Sequence, residues 1–350
     1  MANNLSRASK LILDKCKPWI WHSPKTYSSF ILKANTDEGK NRYNIRSYSQ
    51  GNPGDSRENV RSVLAKTTQL LEELSVPEPA ASSRFLVSHV LGLKNHRACL
   101  QHQDEILTQE QSDQLNKLVA CRMARMPIQY IIGDWDFREI SLQVRPPVFI
   151  PRPETEQLVQ IVLDDIPNDR KCHLLEIGPG SGNICLSLLY ENKNIHMTAL
   201  ERSKMAAQLT SENAQILGLS DRLRIYECKV EGNTELPEDI KDQKFDALVS
   251  NPPYVLRKDL TNLNPEISLY EDLRALDGGA RGLHVILDIL KLADKVLVPD
   301  GLVYLEVDPC HPHILPEQLI KQCIPFKITK VLKDFQDKER FLVLSNDKNA

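Results

Sequence analysis

The chain has 350 residues, 41% hydrophobic and 26% charged, a balance that excludes wholesale disorder and any fibrous class and leaves ample chain for a sizeable core. No run of eighteen apolar residues occurs, so nothing reads as a bilayer span. A net charge of −3 argues against a dedicated nucleic-acid binder. That charge is uneven: residues 1–50 carry nine Lys/Arg against three Asp/Glu, which leaves −9 on residues 51–350. The eight cysteines form no CxxC pair and no even framework, so they read as reduced, mostly buried small hydrophobes in an intracellular compartment.

Taken in chain order, residues 1–50 form a basic leader. Leu5, Ala8, Ile12, Cys16 and Trp19 fall on one helical face, opposite Arg7, Lys10 and Lys17. A basic, Ser-rich, amphipathic start is the composition of a mitochondrial transit peptide, and Arg46-Ser47-Tyr48-Ser49 resembles a matrix-processing site, so the expected location is the mitochondrial matrix. Asp14, Asp37 and Glu38 depart from that composition; the alternative is a disordered basic tail on a cytosolic protein. Residues 51–56 read as a linker. The helical spacing of apolar residues predicts helices over 58–75, 80–93 and 108–126, the last opened by a Thr108–Gln111 capping box. Residues 51–126 are therefore a small helical domain. Residues 128–132 and 135–144, separated by Gly133, read as a β-hairpin within a connector of residues 127–150, ended by Pro146 and Pro147.

From residue 151 to 350 strands and helices alternate. Strands are expected at 173–177, 196–200, 223–226, 245–250, 302–307, 328–332 and 341–344, and helices at 183–190, 204–217, 284–297 and 315–322. This implies an α/β, Rossmann-like domain: a mostly parallel sheet with helices on both faces. Cys310-His311-Pro312-His313 has metal-ligand residue types, but its spacing matches no common zinc pattern and its prolines favour a loop, so no metal is expected.

Glu176-Ile177-Gly178-Pro179-Gly180-Ser181-Gly182 runs from a strand into a helix. The glycines remove Cβ atoms that would hold a ligand off the backbone. Their G-x-G-x-G spacing is not the dinucleotide fingerprint, and Glu176 would repel a pyrophosphate but attract a cationic amino acid. Glu201 ends the next strand, where a carboxylate can accept both ribose hydroxyls. Acid, glycine loop and second acid fit S-adenosylmethionine better than NAD.

Asn251-Pro252-Pro253-Tyr254 directly follows a buried-strand run. Two prolines stop the strand and remove two backbone donors, leaving carbonyls free to accept. The Asn251 side-chain oxygen and the Pro252 carbonyl are suited to accept both N–H bonds of a planar amino group, with Tyr254 packed on the substrate's flat π-system. Such a nitrogen is a poor nucleophile until its hydrogens are held and its lone pair is aimed. The plain structural alternative is a strand-ending turn.

With these motifs, Pro127-Ile128-Gln129-Tyr130-Ile131-Ile132-Gly133, Phe149-Ile150-Pro151-Arg152-Pro153-Glu154-Thr155-Glu156 and Ala275-Leu276-Asp277-Gly278-Gly279, the chain resembles the HemK/PrmC family over residues 58–345. These are protein-(glutamine-N5) methyltransferases that modify the Gly-Gly-Gln loop of peptide chain release factors, and the basic leader is similar to that of the animal mitochondrial members. The resemblance implies an S-adenosylmethionine-dependent methyltransferase sheet. It puts the donor on Glu176, Gly178, Pro179, Gly180, Ser181, Gly182, Glu201 and Asn251, and the substrate glutamine on Asn251, Pro252, Pro253 and Tyr254. Asn251, Pro252 and Tyr254 are then the catalytic set. Arg152 and Glu154 would border the mouth of the site, although helix capping explains them as well. The helical domain would grip a mitochondrial release factor, with no membrane and no direct nucleic acid involved. One departure stands out: where the family has an acid followed by a bulky residue near the adenine, this chain has Lys229 and Val230. Two other functions stay open at this point, adenine-N6 methylation of nucleic acid and an inactive scaffold that binds the release factor.

Overall fold

The structure, a computed structural model, describes residues 58–346 other than residue 233. The leader, with its expected amphipathic face and processing site, lies outside the described residues. The chain divides into two compact units, one ending at Ile131 and the other beginning at Ile132.

In the first unit helices form where the apolar spacing predicts them: α1 (Val60–Glu73), α2 (Pro79–Val90) and α3 (Gln109–Met123). Each start has a local cause. Asn59 caps α1 by accepting the Ser62 amide at 2.9 Å, and Pro79 opens α2 where an N–H would go unpaired anyway. Thr108 and Gln111 form the reciprocal bonds of a capping box at α3, 3.2 and 2.9 Å long. The helices bury Val60, Val63, Leu86, Val87, Leu115 and Val119 against one another. Arg122, 5% exposed, donates to Ser82 Oγ, Met126 O and Pro77 O, so its buried charge has matched acceptors.

Residues 128–132, expected as a strand, instead form a helical turn, α4 (Ile128–Ile132). Five apolar-rich residues fit either period, and the punctuation decides. The Pro127 carbonyl accepts from the Ile131 amide at 3.2 Å, and Gly133 stops the turn at φ +85°. The hairpin that does form is shorter, β1 (Asp134–Phe137) paired antiparallel with β2 (Ile140–Gln143). Its Phe137, Ile140 and Leu142 enter the core of the second unit. Asn213 pins β2 by exchanging bonds of 2.8 and 3.0 Å with the Gln143 backbone.

The remaining elements alternate: α5 (Thr155–Asp165), β3 (Cys172–Ile177), α6 (Asn183–Glu191), β4 (Ile195–Glu201), α7 (Lys204–Ile216), β5 (Leu223–Glu227), β6 (Phe245–Ser250), α8 (Pro265–Tyr270), α9 (His284–Val296), β7 (Leu297–Glu306), α10 (His311–Lys321), β8 (Phe326–Lys333) and β9 (Glu339–Asn346). The strands from β3 on form one sheet in the order β5-β4-β3-β6-β7-β9-β8. Strands β5, β4, β3, β6 and β7 are parallel, and β9 runs antiparallel to both neighbours. Successive residues point to opposite faces. Leu174 joins a core with α5, α6 and α7, while Leu175 joins one with α9 and α10. Burial on both faces is why these strands read as unbroken apolar runs.

Two expectations need correction here. Cys310-His311-Pro312-His313 is not a loop but the opening of α10, which starts four residues earlier than its apolar spacing suggested. Proline is tolerated in a first turn because its missing N–H has no partner there. His311 is fully buried, its Nδ1 accepting the Asp308 amide at 3.3 Å and its Nε2 facing Arg281 O at 3.2 Å. Among the seven described cysteines, all free, Cys99, Cys172 and Cys185 are buried, but Cys310 and Cys323 are exposed because they flank the two ends of α10. No group of His, Cys, Asp and Glu among the described residues is placed to hold a metal ion. No helix among them is long and apolar enough to cross a membrane.

Candidate active site

Topology sets two loops side by side. From β3 the chain steps outward to β4 and β5, then returns to β6 on the other flank of β3. At such a reversal the segments leaving neighbouring strands diverge and a crevice opens at their carboxyl ends. The glycine loop leaves β3 and Asn251-Pro252-Pro253-Tyr254 leaves β6. The Ser250 hydroxyl ties the two bases together, donating to Ile177 O at 2.6 Å.

The three glycines divide by what lies beyond them. Gly178, Gly180 and Gly182 have φ of +73°, +63° and +91°, values that favour glycine. A Cβ added at Gly178 or Gly180 would meet nothing within 4 Å, whereas at Gly182 it would lie 2.7 Å from Leu186 Cδ1 and 3.0 Å from Thr210 Cγ2. Gly178 and Gly180 therefore leave room for a ligand against the backbone, while Gly182 lets α6 pack. Pro179 is buried, and the buried Ser181 hydroxyl has no partner.

Glu176 is fully buried beneath this loop. Its Oε2 accepts the Cys185 amide at 3.0 Å, and its Oε1 has no partner. Burial pushes its carboxyl up to about 8; bonds from Cys185 pull it back and the charge of Glu201 adds to the rise. A cationic group such as an ammonium against the unmet oxygen would draw this carboxyl into its ionised form. Glu201, at the end of β4, accepts the amides of Gly180 at 3.2 Å and Ser203 at 2.8 Å, and burial raises its pKa too. Each of its oxygens keeps a lone pair for a hydroxyl. Lys229 is exposed and paired with Glu231, while Val230 packs on the apolar cluster that includes α9, so neither supplies the missing acid.

On the β6 side, Asn251 Nδ2 donates to Thr155 Oγ1 at 3.1 Å, and Thr155 Oγ1 donates to Glu306 Oε2 at 2.7 Å. The Tyr254 hydroxyl donates to Glu306 Oε1 at 3.0 Å. No described residue donates to Asn251 Oδ1 or to the Pro252 carbonyl. Two unengaged acceptors on consecutive residues can take both hydrogens of one planar NH₂ group. Burial first, then the charge of Glu306, holds the Tyr254 phenol well above its usual range, so it stays a neutral donor. Glu306 is itself raised by burial.

Arg152 and Glu154 are engaged with protein partners. Arg152 donates to Glu271 Oε1 at 2.7 Å, and the Ile150 amide meets Glu271 Oε2 at 3.3 Å, which staples the segment before α5 to the end of α8. Glu154 makes no side-chain cap at α5 and accepts from Gln336 at 3.3 Å. Sequence reasoning missed Thr155 and Glu306. The available signal was an acid closing a strand buried on both faces, where an ionisable residue rarely sits without a task.

The chain is similar to several known proteins. The PrmC N-terminal domain family matches residues 62–133 and the Methyltransferase small domain family matches residues 142–267. The human MTRF1L release factor glutamine methyltransferase is 40% identical over 80% of this chain and 85% of its own. The release factor glutamine methyltransferase of Bacillus cereus is 32% identical over 81% of this chain and 98% of its own. A solved methyltransferase from Pyrococcus furiosus, 18% identical, covers 59% of this chain and 88% of that one with a TM-score of 0.42.

Proposed function

The chain belongs to the release factor glutamine methyltransferase family, and from that premise we propose that Asn251, Pro252 and Tyr254 hold the glutamine of a release factor's Gly-Gly-Gln loop for methylation at N5. The enzyme is an S-adenosylmethionine-dependent protein glutamine methyltransferase. When bound, the donor supplies an electrophilic methyl group on a sulfonium. Glu176, Gly178, Pro179, Gly180, Ser181, Gly182 and Glu201 are the residues that would hold it, with Asn251 at its reactive end. The unmet Glu176 oxygen and the open approach over Gly178 and Gly180 fit that group; Gly182 contributes by letting α6 pack.

An amide nitrogen delocalises its lone pair into the carbonyl and is a weak nucleophile. Asn251 Oδ1 and the Pro252 carbonyl, accepting both N–H bonds, concentrate electron density on nitrogen and fix its direction. On transfer the donor's S–C bond would break as the N–C bond forms, releasing a neutral thioether. The positive charge that builds on nitrogen strengthens both acceptors, which is the part of binding that lowers the barrier. The surplus N–H proton then leaves to water, and no side-chain base is needed. Alignment carries much of the rate, since well-oriented groups reach effective molarities of ~10⁵ M or more. The observation that carries this reading is the Asn251 carboxamide, tied through its nitrogen with its oxygen unengaged beside the Pro252 carbonyl.

Purified protein, labelled donor and a recombinant release factor make the test. Label should appear on the Gly-Gly-Gln glutamine and vanish when that glutamine is changed to alanine; label that persists rejects the assignment, and label on RNA instead points to an adenine substrate. We further infer that the first unit grips the release factor away from the glutamine, and that the enzyme works on a mitochondrial release factor in the matrix. The second inference rests on the composition of residues 1–50.

A further inference from the structure

We propose that Thr155 and Glu306 are positioning residues that lock the Asn251 carboxamide with its oxygen toward the substrate; this rests on the role given to Asn251 above. A carboxamide is nearly symmetric in shape, so a 180° flip exchanges an acceptor for a donor without moving a neighbour. The flipped form would set N–H against the N–H of the glutamine. Something must forbid it.

The hydrogen-bond chain does so by the count of its hydrogens. Burial raises the Glu306 carboxyl, 1% exposed at the end of β7, but the Thr155 and Tyr254 hydroxyls and the charge of Arg340 favour its ionised form, which accepts only. Both hydroxyls that reach it, Thr155 at 2.7 Å and Tyr254 at 3.0 Å, must therefore donate. Each hydroxyl has one hydrogen. With its own spent on Glu306, Thr155 presents only lone pairs to Asn251 at 3.1 Å. Nδ2 is the one end of the carboxamide that such an oxygen attracts, and a flip would set lone pair against lone pair. Thr155 is fully buried, so no water stands in for the lost partner. The same carboxylate fixes the Tyr254 ring through its hydroxyl, so one acid orients two members of the substrate site. Arg340 closes the assembly, its guanidinium 5.9 Å from the Tyr254 ring centre.

The experiment is a double-mutant cycle on the full chain, reading kcat/KM for the release factor, donor Kd and melting temperature. Thr155→Val should lower kcat/KM about tenfold or more while donor Kd stays within about twofold, and Thr155→Ser should keep activity within about threefold. In an Asn251→Ala background the Thr155 change should cost nothing further, because the group it orients is gone. A role confined to joining α5 to β7 predicts the same loss in both backgrounds, and that result overturns the proposal, as does full activity in Thr155→Val. Thr155→Ala, which deletes the same hydroxyl in a smaller side chain, is carried through the same cycle so that a Val variant that does not fold leaves the test intact. Should Asn251→Ala alone retain wild-type turnover, the role of Asn251 fails, and that outcome is distinct from additivity between the two sites.

Discussion

Glu176 lies in β3 and Asn251 follows β6, the strand paired beside it, and each makes a separate demand. If Asn251 Oδ1 is a preorganised acceptor for developing charge, Asn251→Ala lowers turnover by roughly 10²–10³ with donor affinity little changed; steady-state kinetics beside calorimetric donor binding reads both. Glu176 governs pH. Its carboxyl, pushed up to about 8 by burial, keeps a proton in the free protein at neutral pH, whereas an ammonium against its unpartnered oxygen favours the ionised form. Donor binding below pH ~8 then releases a proton, and affinity climbs between about pH 6 and 8 by up to tenfold per unit. Calorimetry in buffers of different ionisation heat should show the release, and Glu176→Gln should flatten the slope. The sign for folding follows from the same shift. The unfolded carboxyl loses its proton near pH ~4.3, but the folded one keeps it to about 8, so this group's contribution to stability is full below the first value and lost as pH rises through the second. A melting temperature of the free protein that climbs across that window would remove Glu176 from this role.

At the scale of elements, the catalytic turn depends on a wall built behind it. Residues 275–282 run against it, with Val255 N donating to Leu276 O and Gly278 N to Val255 O, both at 2.9 Å. The approach is so close that a Cβ at Gly278 would lie 2.8 Å from Pro253 O, and one at Gly282 would strike Tyr254 O and lie 2.7 Å from His311 Nε2. Gly282→Ala therefore meets backbone on one side and a buried ring on the other, at a φ of +71°. It should cost about 1–3 kcal/mol and lower kcat/KM more than donor affinity, since the glycine loop lies on the other side of the crevice. Thermal melting and kinetics of the variant check both parts. The sheet strands were legible because burial on both faces leaves unbroken apolar runs such as 245–250. The turn at 128–132 was not, because five residues fit two periods and only Pro127 and Gly133 separate them. The wall at 275–282 carries no periodic signal at all, and its purpose shows only once Pro253 and Tyr254 stand against it.

Across the whole molecule, the motifs that carry chemistry were legible as local patterns, while the links that orient them were not. Thr155 and Glu306 sit 96 and 55 residues from Asn251, on either side of it in sequence, and only the return of β7 beside β6 and the packing of α5 bring them together. Hydrogen-bond polarity passed through three such residues leaves no mark on composition or spacing. Charge distribution, by contrast, is plain in the sequence and makes a prediction about the entire chain. Residues 1–50 contribute the positive excess, and without them the remainder carries −9. Every residue assigned to donor or glutamine lies between 152 and 306, so a chain starting at residue 51 should methylate a release factor with kcat/KM within about twofold of the full chain at physiological salt. The same truncation should abolish uptake by isolated mitochondria, which the full chain should enter with loss of an N-terminal segment. A truncated chain whose kcat/KM drops at low salt and recovers at high salt would instead assign the leader a steering role toward an acidic partner surface, and continued uptake would separate the basic leader from targeting.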